Sequence, residues 1–102
     1  MSGKLDTILH PPARLQIAAL LARVEEAEFA TLRDIVEVSD SVLSKHLSAL
    51  KETGYVNLRK AAQEGRQRTW VSLTRAGRHA FVAHVAALHD LVAGAQTAIA
   101  AD

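Results

Sequence analysis

Val38-Ser39-Asp40-Ser41-Val42-Leu43-Ser44-Lys45-His46-Leu47-Ser48-Ala49-Leu50-Lys51-Glu52-Thr53-Gly54 is the stretch from which the rest of the chain is read. Val38-Ser39-Asp40 reads as a tight turn, and Ser39 is a residue type that accepts a hydrogen bond from the free N–H groups of a helix start. The helix it opens is expected to run to about Thr53, where Gly54 supplies a stop. At ~100° per residue, Leu43, Leu47 and Leu50 share one face and anchor the segment to a core. Ser41, Ser44, Lys45 and Ser48 fall on the opposite face, with no carboxylate among them. Serine is a poor helix former, so three serines on one outward face need a reason. Short polar side chains let a helix backbone approach the floor of a major groove, and lysine reaches phosphate or guanine. The plain alternative is a solvated face. Val42 meets a thymine methyl or packs on the preceding helix. His46 reads as a boundary histidine rather than a base reader.

Before this segment, His10-Pro11-Pro12 opens a first helix, because proline has no N–H to lose in a first turn. Leu15, Ala18 and Leu21, with Leu20 and Val24, follow at helical spacing, and the acidic run Glu25 to Glu28 is expected to end it. Residues 1–9 read as a flexible start. Phe29-Ala30 reads as an extended link. Thr31 with Asp34 forms a variant capping box for a short second helix through about Glu37, with Leu32, Ile35 and Val36 inward. After Gly54, residues 55–62 read as a strand, Gln63-Glu64-Gly65-Arg66 as a hairpin loop and Arg68 to Leu73 as the return strand, with Val71 and Leu73 inward. Thr74 caps a last long helix. The expected class is mainly α with a small β-hairpin (α+β). Two helices joined by a tight turn make a helix-turn-helix over residues 31–53, the hairpin over 55–73 is its wing, and a helix over 74–99 closes a single domain.

Charge is segregated. Residues 1–40 hold four cations and seven anions, residues 41–78 hold eight cations and only Glu52 and Glu64, and residues 79–102 hold only Asp90 and Asp102. A net charge of +1 therefore hides a basic middle suited to a polyanion. In the hairpin, Arg59, Lys60, Arg66 and Arg68 suit phosphate contact or minor-groove insertion, against the alternative of an ordinary solvated turn. Trp70 packs on its own hairpin or, alternatively, stacks on a base.

Ser41 to Val56 resembles the recognition helix and exit of MarR-like and ArsR-like winged-helix regulators. Arg68 to Arg78 is similar to their second wing strand and the start of their last helix, and His10-Pro11-Pro12-Ala13-Arg14 resembles the opening of the first helix in the compact bacterial subgroup. The resemblance spans roughly residues 5 to 92. It implies a dimeric bacterial or archaeal transcription factor on a pseudo-palindromic operator. The cysteines of many ArsR-like metal sensors are missing, since the chain has none, and there is little length for the extra helices around a MarR-like effector pocket. Effector sensing does not carry over.

In the last helix Phe81, Val85, Leu88, Val92, Ala95 and Ile99 are spaced 4, 3, 4, 3 and 4 apart, a heptad stripe expected to lie against a second copy. Leu15 and the segment Leu5, Ile8 and Leu9 are a second expected part of that interface. The alternative is an intramolecular core stripe. His79, His84 and His89 recur at intervals of five and diverge around the helix, although His84, His89 and Asp90 offer a zinc site across a dimer.

The combined expectation is a sequence-specific double-stranded DNA-binding regulator, a homodimer and a repressor. Its DNA-facing residues are Ser41, Val42, Ser44, Lys45, Ser48, Arg59, Lys60, Arg66 and Arg68. No cofactor, metal or catalytic constellation is expected. Without cysteines, a signal peptide or an apolar run of ~18 residues, the composition suits the cytoplasm. Two other readings use the same residues: a winged-helix protein-interaction module without DNA, and a metal-responsive regulator acting through the C-terminal histidines.

Overall fold

The computed structural model describes residues 4–101. Its order is α1 (Pro12–Leu21), β1 (Ala27–Glu28), α2 (Phe29–Val36), α3 (Asp40–Glu52), β2 (Val56–Gln63), β3 (Arg66–Leu73) and α4 (Arg75–Ala101). The strands form one antiparallel sheet in the order β1-β3-β2. Mainly helical with a β-hairpin and a long last helix, this is the winged helix-turn-helix class. Among the described residues no helix is long and apolar enough to cross a membrane.

The local signals act where the sequence places them. Ser39 accepts the Val42 N–H at 3.2 Å and caps α3. At its other end, the Gly54 N–H donates to Lys51 O and the Tyr55 N–H to Leu50 O, with Gly54 at φ +85°, a left-handed stop that a side chain resists. Glu64 and Gly65 both have positive φ, giving the two-residue turn whose twist matches a hairpin, and Gln63 pairs with Arg66 across it. Thr74 caps α4 by accepting the Gly77 N–H at 2.9 Å. Leu43, Leu47 and Leu50 are buried with Leu9, Ile17, Ala18, Leu21, Leu32, Val56 and Val71 in one core. Each such leucine contributes roughly 1.5–3 kcal/mol by leaving water.

Four expectations change. First, α1 stops at Leu21, and Val24 lies beyond it, exposed. Second, β1 and α2 replace the extended link and the capping box. Ala27 and Glu28 pair with Val71 and Trp70, Glu28 is the extended residue before α2, and Thr31 lies inside the helix without a capping role. Third, Leu32 is buried but Ile35 is exposed, because the inward stripe of this eight-residue helix runs Phe29, Leu32, Val36.

Fourth, residues 6–9 are tied into the fold, while residues 1–3 of the expected flexible start lie outside the described residues. Leu9 is fully buried, so it belongs to the protomer's own core and offers nothing to a second copy, and Ile8 packs beside it. The tie is polar. Asp6 Oδ1 accepts the N–H groups of Ile8 and Leu9 at 2.8 and 3.2 Å, Tyr55 donates its hydroxyl to Asp6 Oδ2, and the Asp6 N–H donates to His84 Nδ1 at 2.8 Å. Burial alone would raise the Asp6 carboxyl, but the hydrogen bonds from Tyr55, Ile8 and Leu9 outweigh it and hold the group below its ordinary value. The Tyr55 phenol is pushed up to about 12 by its bond to Asp6 and by burial.

His84 is fully buried on α4. Because Nδ1 accepts, the neutral ring carries its proton on Nε2. Burial, then the neighbouring His10, lowers its pKa against the opposing pull of Asp6. A second proton would set two donors face to face across the Asp6–His84 bond. The unfolded chain takes up protons below about 6.5 that the folded chain resists, so stability is present above that pH and is lost as pH falls. We expect the thermal midpoint to fall between pH 7.5 and 5, with a His84→Gln variant showing a shallower fall. A wild-type midpoint that stays flat over that range would refute this account of His84.

Candidate nucleic-acid interface

All five α3 residues expected to face DNA are exposed, Ser41, Ser44, Lys45 and Ser48 on the side away from the leucine anchor and Val42 beside it. His46 sits at the boundary. It accepts from Arg14 Nε at 3.0 Å, and burial with the adjacent guanidinium lowers its pKa, so it stays neutral and joins α3 to α1. Ser44 and Ser48 line an open groove between α3 and the wing, together with Asp40, Lys60, Thr69, Phe29, Leu47 and Leu58.

The four wing cations divide into two kinds. Arg59 forks onto Glu26, with Nη2 to Oε1 at 2.5 Å and Nε to Oε2 at 3.3 Å, and its guanidinium lies 5.8 Å from the Trp70 ring centroid. Arg68 gives Nη1 to both oxygens of Glu28 at 3.0 and 3.1 Å, with the two side chains only 28% and 22% exposed. The pattern of the hairpin alone does not separate the four, because the acids that pair two of them, Glu28 in β1 and Glu26 just before it, come from a strand without a sequence signal. Strand alternation puts Lys60, opposite Thr69, on the sheet face that meets the groove and Arg59, opposite Trp70, on the other face, which also carries Glu28 and Arg68. Lys60 and Arg66 are exposed, and neither forms an ion pair among the described residues.

Behind the interface, α3 is clasped to α4. The Thr74 N–H donates to Tyr55 O at 2.9 Å and the Thr74 hydroxyl to Gly54 O at 2.6 Å. Gly77 is buried against this joint; a Cβ there would lie 2.1 Å from Tyr55 O. This close approach, like the Asp6–Tyr55–His84 chain, went unread in the sequence. His84 did carry a signal, since it stands three residues from Phe81 and four from Leu88 on the inner stripe.

The stripe on α4 is shared. Phe81 packs on the protomer's own core, while Val85 and Leu88 are half-buried. From His89 to Ile99 every residue is exposed, including Val92 at 53% and Ile99 at 74%. The molecule measures 63 × 25 × 21 Å because this 27-residue helix, ~40 Å long, outruns the body. His84 is turned inward and held, and no group of three or more histidine, cysteine, aspartate or glutamate side chains that could hold a metal ion occurs among the described residues.

A helix-turn-helix with a basic-tipped hairpin beside its second helix defines the class of winged-helix DNA-binding domains. The chain belongs to this family: the family model of the winged helix DNA-binding domain matches residues 13–92. It is related to the MarR-like and ArsR-like regulators, but the family so defined is wider than a MarR-like label. An uncharacterized protein of Methanocaldococcus jannaschii is 36% identical over 74 residues, covering 72% of this chain and 80% of that one. Among solved structures, the transcriptional regulator homologue protein from Pyrococcus horikoshii OT3 superposes with a TM-score of 0.80 at 26% identity, over 85% of this chain and 86% of that one. HlyU from Vibrio cholerae N16961 follows with a TM-score of 0.64 at 30% identity, over 82% and 83% of the two chains.

Proposed function

We propose that this winged-helix chain is a transcriptional regulator that binds a pseudo-palindromic operator in double-stranded DNA as a homodimer, and represses by obstructing polymerase. The observation that carries this reading is the exposed flank Ser41, Ser44, Lys45 and Ser48 on a helix whose other side is locked by three buried leucines. The serines are short enough to let the α3 backbone enter a major groove, where hydroxyls meet base edges or phosphate and Lys45 adds a cation. Lys60 and Arg66 contact flanking phosphates. Arg59 and Arg68 brace the wing against β1 and take no part in binding.

The distal α4 stripe takes a second copy of this chain. Its spacing is that of a heptad seam, Asp90 is the only acidic or basic residue other than histidine between residues 79 and 99, and alanines allow close approach. A two-fold axis along this seam would set two α3 helices about one DNA turn, ~34 Å, apart. A role on chromosomal DNA goes with a cytoplasmic location.

The test is binding to DNA selected from genomic fragments, followed across a salt series. Wild type is expected to bind with a steep salt dependence. Lys45→Ala, Lys60→Ala and Arg66→Ala are each expected to weaken binding and flatten the slope of log K against log salt by about one. Arg59→Ala is expected to leave the slope unchanged. No salt-sensitive binding by wild type would favour a protein-interaction module instead. A slope reduced by Arg59→Ala would place that arginine on phosphate.

A further inference from the structure

Asp40 is an unexpected group on this surface. It is the first residue of α3, its carboxylate is 68% exposed, and it lines the groove with Ser44 and Ser48, four and eight residues on. The three therefore form one stripe along the wing-facing side of the helix. Arg33 of α2 donates Nη1 to Asp40 Oδ1 at 3.0 Å while its Nε holds Asp34 at 3.0 Å, so a guanidinium anchored on the preceding helix orients the carboxylate and leaves Oδ2 free.

A carboxylate on a face that meets a polyanion is repelled by every phosphate. It is tolerated there if it finds a hydrogen-bond donor. In the major groove those donors are the exocyclic amino groups of cytosine and adenine. Adenine sets its N7 acceptor beside its amino group, which turns a carboxylate away, whereas cytosine presents its N4 amino group alone. The N-terminal residues of a recognition helix are the ones that reach base edges.

We propose that Asp40, positioned by Arg33, is a specificity-determining residue that accepts a hydrogen bond from the N4 amino group of a cytosine at one position in each operator half-site. This rests on the DNA-binding reading above and deepens it. Asp40 selects the base, while Ser44 and Ser48 allow the approach and Lys60 offsets the local negative charge.

The experiment is selection from a randomised DNA pool with wild type, Asp40→Asn and Asp40→Ala, followed by competition binding on the selected sites. Thermal melts serve as a folding control. Wild type is expected to select cytosine at one symmetric position. Asp40→Asn, whose amide both donates and accepts, is expected to shift that position to adenine, changing the cytosine-to-adenine affinity ratio by about tenfold. Asp40→Ala is expected to remove the preference there alone. The proposal is overturned if both variants bind every sequence more tightly by a common factor, since Asp40 would then act only as a charge at a helix start. A wild-type protein that selects no sequence would overturn the regulator reading itself, which is a separate and visible failure.

Discussion

Replacing Gly77 with alanine is expected to destabilise the protein by about 3 kcal/mol, the upper range for forcing one methyl into a filled space. The new Cβ would stand 2.1 Å from Tyr55 O, 2.9 Å from Tyr55 C and 3.0 Å from Leu73 Cδ1. The first two are backbone atoms, and the carbonyl is fixed because it accepts the Thr74 N–H. Neither side can yield locally. The Gly77 N–H is bound by Thr74 Oγ1, and Tyr55 is held by its backbone bond to Leu50 at one end and by Asp6 at its hydroxyl. Relief must come from parting α4 and the α3 exit, which also frees the segment that buries Leu9. For a domain of this size the loss corresponds to a fall of roughly 15 °C in Tm. Denaturant and thermal unfolding measure it, and a midpoint within a degree or two of wild type would show that the joint is not tight. Gly94, where an added Cβ meets nothing within 4 Å, is the control: Gly94→Ala is expected to be neutral or stabilising.

The second large effect concerns assembly rather than folding. Val92→Glu combined with Ile99→Glu is expected to yield a folded monomer whose operator affinity falls by ~10²- to 10⁴-fold. The reason is that a dimer binds its second half-site at a high effective concentration, and a monomer loses that gain. Both residues project from the part of α4 that lies beyond the body, so the protomer core of Leu9, Ile17, Leu43 and their neighbours is untouched and Tm at low protein concentration should hold. Sedimentation of both proteins and titration of full and half operators separate the two effects. A wild-type protein that sediments as a monomer, or a doubly substituted one that keeps full affinity, would remove the second copy from the mechanism.

The two experiments act on opposite ends of one helix. Its first turn is locked to the exit of α3, and its far end carries the exposed stripe proposed to take a second copy. Tyr55 is the shared contact of the joint between α4, the α3 exit and the N-terminal segment. Its carbonyl meets Thr74 and Gly77, and its hydroxyl meets Asp6, which in turn meets His84.

Much of the candidate surface was legible in the chain itself, because its signals are local. Ser39 and Gly54 bound α3 within a single turn each, the leucines repeat at helical spacing, Gly65 supplies a positive φ for the hairpin, and Thr74 caps the helix it precedes. These follow from backbone geometry and the amphipathic period, which act between residues a few positions apart. What only the tertiary structure decided are meetings between distant residues. Two residues of β1 have no period to detect, yet they bring Glu26 and Glu28 to arginines 33 and 40 positions away and pair Arg59 and Arg68 with carboxylates. Asp6 reaches His84 across 78 residues, which makes a latch of residues 6–9 where a loose start was expected and holds a histidine offered as a metal ligand inside the fold. Gly77 owes its constraint to a carbonyl brought over it by the sheet. Side-chain partners and close backbone approaches of this kind depend on how finished elements dock, and no pattern within one element encodes them.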